Sequence, residues 1–381
     1  MMQSINNSLN QPSSIPATML QVVDDKIRVH KEIGSGLQSR VFLVSQYKPT
    51  SGTAANSDVS STESAYTEEN LFAMKTFEKD EFKALGLREY QLLKNIEAHD
   101  NIIKVYNHSH NGLMSAKNYP NSVVNFSQQT ASTYSTKNDQ PKLDKGFDYM
   151  TMEFCQNGDL FNLVKKHGKL SESLSKNLFH QLLNGLEYLH SKVEVAHLDL
   201  KLENILVSSS YSLKLCDFGF YEETNRKINK NRGTHGYRAP ETYIQSNEGY
   251  DGVKADFFSL GVILFIMIFG VPPFNQATRE DGLYRLFYRG SQSYKYFLRL
   301  HLGTKQQFQE GKIDHELIEL LFALMDENPA MRPQSIAEIR QFSYLTKDLI
   351  SQDEFGSEME QIYSKIEQEN SQQNGVAVEI Q

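Results

Sequence analysis

Residues 197–207 read His-Leu-Asp-Leu-Lys-Leu-Glu-Asn-Ile-Leu-Val, and an Asp-Phe-Gly tripeptide begins at Asp217, 13 residues after Asn204. This spacing brings two carboxylates, Asp199 and Asp217, into one pattern with Lys201 and Asn204. A carboxylate can orient a hydroxyl nucleophile, and an ammonium can stabilise a moving phosphoryl group. An amide and a second carboxylate can hold Mg²⁺. These residue types in this order therefore favour phosphoryl transfer.

A glycine-rich segment lies upstream of this region. Residues 34–41 read Gly-Ser-Gly-Leu-Gln-Ser-Arg-Val, which fits Gly-x-Gly-x-x-Gly-x-Val with Ser39 in place of the third glycine. Small residues let backbone N–H groups approach phosphate oxygens closely, although a Gly-x-Gly pair alone also marks ordinary tight turns. Strand-like residues flank the segment on both sides. This strand–loop–strand pattern argues against a dinucleotide-binding fold, which needs strand–loop–helix.

Lys75 and Glu89 are two charged residues in segments with regular secondary-structure patterns. Lys75 ends Phe-Ala-Met-Lys in a short apolar run with a strand pattern, and Glu89 lies in the helical pattern of residues 82–96. In isolation, a surface charge on a strand edge is the preferred interpretation of Lys75, and an exposed helix charge is the plain interpretation of Glu89.

Further motifs follow downstream. Residues 233–241 read Gly-Thr-His-Gly-Tyr-Arg-Ala-Pro-Glu, residues 256–261 read Asp-Phe-Phe-Ser-Leu-Gly, and Arg332 comes later. The whole series, in this order, resembles the eukaryotic protein kinases. The resemblance implies that Arg332 pairs with Glu241. The chain departs from the family at Leu198, where kinases usually carry the Arg of His-Arg-Asp.

The resemblance implies a role for each matching catalytic residue. Asp199 would accept or orient the proton of the substrate hydroxyl, and Lys201 would stabilise the transferring charge. Lys75, held by Glu89, would position the phosphates of ATP. A Lys two residues after the catalytic Asp, together with Thr234 in Gly-Thr-x-x-Tyr, is similar to serine/threonine kinases and unlike tyrosine kinases.

The resemblance also implies ATP and Mg²⁺ as cofactors. Asn204 and Asp217 would bind the metal. Met152 would be the gatekeeper, and backbone groups of Glu153 and Cys155 would bond the adenine. The implied ATP-binding positions are Ile33, Gly34, Ser35, Gly36, Ser39, Val41, Ala73, Lys75, Met152, Glu153, Cys155, Asp159 and Leu206.

The kinase resemblance covers about residues 23–345 and implies an α+β, bilobal fold with a small β-rich lobe and a larger, mainly helical lobe. Apolar residues at spacings of four and three between Leu174 and Leu189 predict a long helix, and residues 256–270 predict a buried one. Residues 157–161, 271–274 and 326–333 are most similar to calcium/calmodulin-dependent and AMP-activated kinase relatives. The expected divisions are a disordered segment at 1–22, the small lobe at 23–154 with polar insertions near 47–70 and 107–145, the large lobe at 155–345, and an acidic tail at 346–381.

Composition limits the kinds of binding partner and the cellular compartment that we expect for the protein. The formal net charge of the 381 residues is −8, and the tail beyond Leu345 carries two Lys and eight acids, a net of −6. The net charge of the remaining residues is therefore near −2, which indicates no nucleic-acid or anionic-membrane surface.

Two cysteines exclude a disulfide framework and fit a reducing compartment. The longest apolar run, residues 261–271, falls short of the roughly 20 residues that span a bilayer. With a polar N-terminus that lacks a signal pattern, we expect a cytoplasmic or nuclear location.

Two classes of function fit a kinase-like sequence. A catalytic kinase needs Lys75, Asp199, Asn204 and Asp217, and all four are present. A pseudokinase, which is a binding module of the same shape, would be favoured by the loss of any of them. We therefore expect a protein serine/threonine kinase that acts on protein substrates.

Two expectations concern regulation and substrate choice. Leu198 cannot bind an anion, and Lys230 stands three residues before Gly233, where the family has a phosphorylation site. We therefore expect activity that does not require phosphorylation of this segment. Asp159 stands where the relatives have an acid that contacts an upstream basic residue, and Glu203 could add to the same negative patch. The resemblance therefore implies a mild preference for Arg or Lys a few residues before the target hydroxyl, worth about 1 kcal/mol. Ile266, in place of the acid that some strongly basophilic kinases carry, weakens this expectation.

The acidic tail carries an apolar stripe at spacings of four, three and four, formed by Phe355, Met359, Ile362 and Ile366. Two interpretations stay open: a terminal helix that packs lightly on the larger lobe, and a regulatory helix that docks on the catalytic domain or on a partner. Calmodulin binds basic amphipathic helices, so the negative charge argues against calmodulin as a partner.

Overall fold

The structure is a computed structural model that describes residues 19–36, 38–46, 71–118, 146–244, 247–288 and 294–378. The chain divides into two compact units. The first unit comprises residues 1–86 and 107–152, and the second comprises residues 87–106 and 153–381. The first unit is rich in strands and the second is mainly helical, which confirms the expected α+β, bilobal class.

A seven-stranded sheet forms the first unit. The order in the sheet is β5-β7-β4-β3-β2-β1-β6, and β1 to β4 pair successively as antiparallel neighbours where their registers are defined. Alternation of inward and outward side chains builds a core on one face. The strands are β1 (Met19–Val23), β2 (Ile27–Ser35), β3 (Arg40–Gln46), β4 (Leu71–Phe77), β5 (Val105–Gly112), β6 (Met114–Asn118) and β7 (Phe147–Glu153). The buried core residues are Val23, Phe42, Val44, Met74, Phe147 and Tyr149.

A three-residue turn, residues 24–26, joins β1 to β2, and Asp24 and Asp25 occupy its first two positions. Both residues have positive φ angles, 50° and 55°, as a tight hairpin turn requires. The Asp24 carboxylate accepts hydrogen bonds from the Leu113 N–H (2.9 Å) and from the Tyr149 hydroxyl (2.9 Å). The turn therefore ties β1 to the start of β6 and to β7.

Two expected boundaries in this unit were wrong. The disordered segment expected at 1–22 overlaps β1, which begins at Met19 and pairs with β6 from Val23↔Met114 to Met19↔Asn118. The polar insertion expected at 107–145 likewise begins with most of β5 and all of β6. Neighbouring strands pair through hydrogen bonds between backbone groups, whatever their side chains are. A strand with mostly polar side chains therefore lacks the apolar pattern by which a strand is predicted from sequence. Residues 1–18, the insertion expected at 47–70, and residues 119–145 lie outside the described residues.

Helix α1 (Asp80–Asn95) follows β4 after two residues and crosses the boundary between the units, as the helical pattern of residues 82–96 predicted. Gly86 marks where this helix approaches the sheet. A Cβ at Gly86 would lie 2.5 Å from the Phe77 ring, so no larger residue fits without displacing that ring.

The second unit contains short strands and a series of helices. The strands are β8 (Val195–Ala196), β9 (Ile205–Val207), β10 (Leu213–Leu215) and β11 (Glu222–Glu223), which pair as β9–β10 and β8–β11. The helices are α2 (Leu160–His167), α3 (Glu172–Tyr188), α4 (Gly252–Phe269), α5 (Gly282–Tyr288), α6 (Tyr294–Leu300), α7 (Lys305–Gln309), α8 (His315–Leu324), α9 (Ile336–Ile339), α10 (Ser343–Thr346) and α11 (Gln352–Val378). The two helices predicted from apolar periodicity are confirmed as α3 and α4.

Helix α4 is the centre of the second unit. Its first turn is capped by Asp251, whose carboxylate accepts hydrogen bonds from the N–H groups of Val253 and Lys254. A Cβ at Gly261 would lie 2.7 Å from Met325 Cγ, which shows how closely the chain after α8 approaches this helix. Within the described residues, α4 alone has the length and apolarity to cross a membrane, and 89% of it is buried inside the protein. Its apolar surface is therefore accounted for by core packing.

Helix α11 carries the apolar stripe of the acidic tail, and it packs against α2 and α3. The four residues of the stripe are buried, with exposures between 0% and 7%. The Tyr363 hydroxyl donates to the Asn157 carbonyl at 3.2 Å, and the Tyr363 ring stacks on Tyr211 at 5.7 Å. This matches the interpretation of a terminal helix packed on the larger lobe, while a regulatory role stays a prediction.

Candidate active site

The catalytic loop, residues 197–204, is held by the buried carboxylate of Asp256 at the start of α4. Asp256 Oδ2 accepts from the His197 N–H and Oδ1 accepts from the Leu198 N–H, each at 2.8 Å. A third contact, 2.9 Å long, joins Oδ2 to His190 Nε2. Asp256 is 1% exposed, so these partners replace the water that a buried carboxylate loses. The long helix α4 thus fixes the start of the catalytic loop.

Leu198 has a backbone conformation that leucine rarely adopts. Its φ angle is +65°, in the left-handed region, which costs a non-glycine residue of order 1–3 kcal/mol. The hydrogen bond from its N–H to Asp256 helps to hold this conformation. This conformation changes the direction of the backbone, so that Asp199 lies on the same side of the loop as Lys201 and Asn204.

The structure brings three predicted site residues together around the Asp199 carboxylate. Lys201 Nζ lies 2.9 Å from Asp199 Oδ2. Asn204 Nδ2 donates to the Asp199 backbone oxygen (2.9 Å) and to Oδ2 (3.1 Å). Because the carboxylate is 5% exposed and held by a cation and an amide, its orientation is fixed before any substrate arrives.

Thr234 is a fourth member of this cluster, and no local sequence pattern predicted its position beside Asp199. Its hydroxyl donates to Asp199 Oδ1 at 2.7 Å and accepts from Lys201 Nζ at 2.9 Å. The motif Gly-Thr-x-x-Tyr marked this Thr only as a feature of serine/threonine kinases. Its contact with Asp199 crosses 35 residues.

Asp217 lies beside Asn204 because the backbones of the two segments are joined. The Cys216 N–H donates to the Asn204 carbonyl at 3.0 Å. Asp217 has a φ angle of +61°, and the next residue, Phe218, donates its N–H to Glu89 Oε1 at 3.1 Å. Glu89, 2% exposed on α1, therefore contacts the backbone of the Asp-Phe-Gly turn directly.

Asn204 and Asp217 fit a magnesium ion by their chemistry. Carboxylate and amide oxygens are the hard ligands that Mg²⁺ prefers. The amide nitrogen of Asn204 is bonded to Asp199, so its Oδ1 is the atom that can face an ion. These two residues are the ones that would hold Mg²⁺ in the second unit.

The first unit supplies the predicted phosphate-binding residues. Gly34 and Ser35 end β2 opposite Val41 and Arg40, and the Gly36 N–H donates to the Ser39 carbonyl at 2.9 Å. Leaving out the adjacent residues, the described atom nearest to the place of a Cβ is Val41 Cβ, at 3.6 Å, for Gly34, and the Ser39 carbonyl oxygen, at 3.8 Å, for Gly36. Packing therefore does not require glycine at either position, whereas close approach of a ligand would.

Other predicted ATP-binding residues lie on β4 and β7. On β4, Lys75 is 7% exposed and has Val41 as its register partner, while Ala73 is buried. Met152, the expected gatekeeper, is 6% exposed on β7. Ile33, on β2, is 39% exposed. A buried ammonium on a strand is costly unless it serves a partner or a ligand, which favours the functional interpretation of Lys75.

The remaining adenine and ribose positions lie in the second unit. Glu153 Oε1 pairs with Lys214 Nζ at 3.1 Å, and Asp159 caps α2 by accepting from the Asn162 N–H at 2.7 Å. Leu206 on β9 forms an isolated bridge with Asp159. Burial raises the pKa of the Cys155 thiol to about 12, so this side chain is a neutral packing group. Lys75 and Glu89 belong to different units, and their pairing stays a prediction.

The ion pair expected between Arg332 and Glu241 is confirmed. Arg332 Nη1 and Nη2 donate to the two carboxylate oxygens of Glu241 at 2.6 and 2.8 Å, and Nη1 also donates to the Lys254 carbonyl at 2.8 Å. The guanidinium is fully buried. This bidentate contact anchors the end of the activation segment, residues 217–241, to the body of the second unit.

The fold and this site together define a protein kinase domain. The family model described as "Protein kinase domain" matches residues 47–345, which is more than half of the chain, and the chain belongs to this family. Members of the family use ATP with Mg²⁺, which agrees with the donor set described above.

Similar curated proteins are named as protein kinases. CBL-interacting protein kinase 11 of Oryza sativa subsp. japonica is 35% identical over 204 residues, which cover 52% of this chain and 37% of the relative. CBL-interacting serine/threonine-protein kinase 10 of Arabidopsis thaliana is 34% identical over 206 residues, covering 53% and 39%. A probable cell cycle serine/threonine-protein kinase CDC5 homolog of Encephalitozoon cuniculi is 32% identical over 202 residues, covering 52% and 41%. The matched part spans about two fifths of the length of these relatives.

Proposed function

We propose that this chain is an active serine/threonine protein kinase that transfers the γ-phosphate of ATP to protein hydroxyl groups. The arrangement around Asp199 carries the proposal. Its carboxylate contacts Lys201, Asn204 and Thr234 at 2.7–3.1 Å in a buried setting. A module that only bound partners would not need a buried carboxylate and an ammonium fixed at this distance.

Each residue of the cluster has a distinct part in the transfer. Asp199 Oδ1, now bonded to the Thr234 hydroxyl, is the atom that would accept the hydrogen bond of a substrate Ser or Thr hydroxyl. Lys201 places its positive charge 2.9 Å from the other carboxylate oxygen, Oδ2, close to where charge on the transferring phosphoryl group would develop. Mg²⁺ bound by Asn204 and Asp217 would neutralise charge on the phosphates of ATP.

Catalysis and pseudokinase function are separated by comparing nucleotide binding with turnover. We expect the purified chain to bind ATP and to phosphorylate a generic Ser/Thr substrate such as myelin basic protein. We expect Asp217→Ala to abolish transfer, because it removes a Mg²⁺ ligand. A chain that binds ATP but transfers phosphate no faster than Asp217→Ala would be a pseudokinase.

We further propose that activity does not require phosphorylation of the activation segment. Leu198 is buried, and its Cδ2 converges with Ala196 Cβ and Ile228 Cδ1 around Gly252. Ile228 belongs to the activation segment, and its backbone exchanges two 3.0 Å hydrogen bonds with Tyr250. An apolar contact thus holds the segment at the position where an anion-binding Arg would otherwise act.

A resident carboxylate supplies a second support for this proposal. Glu222 lies in the activation segment, and its two oxygens contact Arg88 Nη2 of α1 (3.3 Å) and Arg232 Nη2 (3.0 Å). The Arg88 guanidinium also stacks on Tyr221 at 4.0 Å. Side-chain exposures of 14–35% make these pairs less screened by solvent than ordinary surface pairs. Glu222 therefore bridges two cations in the way that a phosphate on the segment would.

Glu222 also acts close to the catalytic machinery. Arg88 is the neighbour of Glu89, whose carboxylate holds the N–H of Phe218. Loss of the Glu222 charge would leave two partly buried guanidinium groups facing each other. We expect Glu222→Gln to lower kcat by at least about tenfold, which corresponds to about 1.4 kcal/mol. Glu223→Gln is the matched control, because the adjacent carboxylate is about half exposed and pairs with Arg226, its near neighbour in sequence.

The test combines phosphatase treatment with these two variants. We expect the dephosphorylated chain, verified by intact mass, to keep its kcat within about twofold, and Glu223→Gln to behave likewise. Loss of activity on phosphatase treatment, with the removed phosphate mapped to Tyr221 or Thr224, would overturn the proposal. Equal kcat values for Glu222→Gln and Glu223→Gln would remove the bridging role of Glu222.

Protein substrates with upstream basic residues are the third proposal. Asp159 and Glu203 are acids of the second unit beside the catalytic loop, since Asp159 caps α2 and α2 packs on residues 202–204. Exposed acids give modest selectivity, about 1 kcal/mol or fivefold in kcat/KM. A peptide pair differing only in Arg or Ala upstream of the target Ser tests this. Equal kcat/KM for the two peptides would reject it.

Calmodulin is not a proposed partner. The apolar stripe of α11 that a calmodulin-like groove would need is buried against α2 and α3, and the helix begins with the acids Asp353 and Glu354. We expect no shift of the native chain on a gel with Ca²⁺-calmodulin, and a clear shift would contradict this.

A further inference from the structure

Two histidines and an aspartate outside the kinase site cluster on neighbouring strands of the first unit. His108 and His110 are two residues apart on β5, so they share one face of the strand. Asp148 lies on β7, the neighbour of β5 in the sheet. One nitrogen from each imidazole and one carboxylate oxygen all lie within 4.8 Å of one another.

The contacts within this cluster are already partly organised. Asp148 Oδ2 lies 2.8 Å from His110 Nδ1, and Oδ1 accepts from the Asn111 N–H at 3.2 Å. Asp148 is 4% exposed, whereas the side chain of His110 is 59% exposed. The cluster is therefore open to solvent on the His110 side and closed behind the carboxylate. The Asn111 hydrogen bond orients Asp148 in the way that outer contacts orient metal ligands.

The imidazole rings of His108 and His110 stand edge to face, with centroids 4.6 Å apart. One nitrogen of each ring lies within 4.8 Å of the other and of a carboxylate oxygen of Asp148, so modest side-chain rotations would bring the three donor atoms around one point.

We propose that His108, His110 and Asp148 form a divalent transition-metal site, with Zn²⁺ as the ion that the donors fit best. Two nitrogen donors and one oxygen donor suit Zn²⁺, whereas Mg²⁺ and Ca²⁺ favour oxygen alone. Zinc bonds are about 2.0–2.2 Å long, so two donors in a tetrahedral shell stand roughly 3.4 Å apart. The contact of 2.8 Å between His110 Nδ1 and Asp148 Oδ2 would open by about 0.6 Å, and donor pairs that are now further apart, up to 4.8 Å, would approach. Water would complete a tetrahedral shell.

The bound ion would join β5 to β7. Strand β7 continues directly into Met152 and Glu153, two of the predicted adenine-binding positions. Zinc would therefore stabilise the strand that leads to the nucleotide site, without taking part in phosphoryl transfer. The alternative is a plain His110–Asp148 ion pair with no affinity for metal, and the two cases differ in measured binding.

The test titrates ZnCl₂ into the metal-stripped full chain by isothermal titration calorimetry at pH 7.5. We expect one ion per chain with micromolar or tighter affinity, and a rise in melting temperature on binding. His108→Gln and His110→Gln should each weaken this binding at least tenfold. His315→Gln is the matched control, since His315 pairs with Glu319 on the exposed surface of α8.

Zn²⁺ binding by the wild-type chain tests the proposed metal site even if one of the variants folds poorly. Absence of a one-to-one Zn²⁺ complex in the wild type would overturn the proposal. Retention of full affinity in a folded His110→Gln variant, checked by circular dichroism, would overturn it as well. Equal weakening in His315→Gln would show non-specific surface binding and would also refute the assigned site.

Discussion

Replacement of Met359 by Ala tests whether the tail helix is an integral part of the larger unit. Met359 is 0% exposed and lies at the middle of the buried stripe of α11, which packs on α2 and α3. Its neighbours in the stripe, Phe355 and Ile362, are 1% and 5% exposed. Truncation therefore leaves a cavity that the flanking side chains can fill only in part.

The expected loss is large enough to measure. Buried Met→Ala substitutions cost about 2–5 kcal/mol. For a cooperative unit of this size, each kcal/mol lowers the melting temperature by about 2–4 °C. We therefore expect Met359→Ala to lower the melting temperature of the second unit by about 4–20 °C. Gln361→Ala, an exposed position on the same helix, should change the stability by less than about 0.5 kcal/mol.

Differential scanning calorimetry of the two variants and of a chain truncated after Leu345 provides the assay. We expect the truncation to destabilise the second unit at least as much as Met359→Ala, because it removes the whole stripe and the bond from Tyr363 to Asn157. If Met359→Ala has the same melting temperature as Gln361→Ala and the wild type, α11 does not pack on the second unit in solution. In that case only an external partner could use its apolar face.

Three further outcomes follow from single buried groups. Asp256→Ala should lower kcat by at least about a hundredfold, measured by steady-state peptide phosphorylation, since two catalytic-loop N–H groups lose a charged acceptor; activity within about twofold of wild type would contradict this. Glu241→Gln should cost about 3–5 kcal/mol in urea unfolding, because it leaves the guanidinium of Arg332 buried without its counter-charge; a loss below about 1 kcal/mol would mean that the pair is not formed in solution. Cys155 should be alkylated by iodoacetamide at pH 8 on the order of a hundredfold more slowly in the folded chain than in urea, because burial raises its thiol pKa to about 12; equal rates by mass spectrometry would refute its burial.

Local sequence patterns predicted the parts of the fold that depend on local periodicity. Helix α3 was visible because its leucines repeat at three and four residues, and α4 because it is apolar nearly all round. Strand β6 was missed because it is polar, and its pairing with β1 joins residues about 95 positions apart through backbone groups. Pairing between distant strands depends on the whole sheet and not on a local pattern.

The same distinction applies to the candidate site. The spacing of Asp199, Lys201 and Asn204 in one short loop made their association predictable from sequence. The contact of Thr234 with Asp199 and the bridge from Glu222 to Arg88 span 35 and 134 residues. Only the folded chain brings such groups together, and no residue type at one position indicates the partner at the other.

The central claim is that this chain transfers phosphate with an activation segment ordered by its own residues. The most direct measurement is kcat for peptide phosphorylation by the fully dephosphorylated chain, with Asp217→Ala as the inactive reference. We predict a rate within about twofold of the untreated chain and at least about a hundredfold above the reference. A dephosphorylated chain that is no faster than Asp217→Ala would contradict the account.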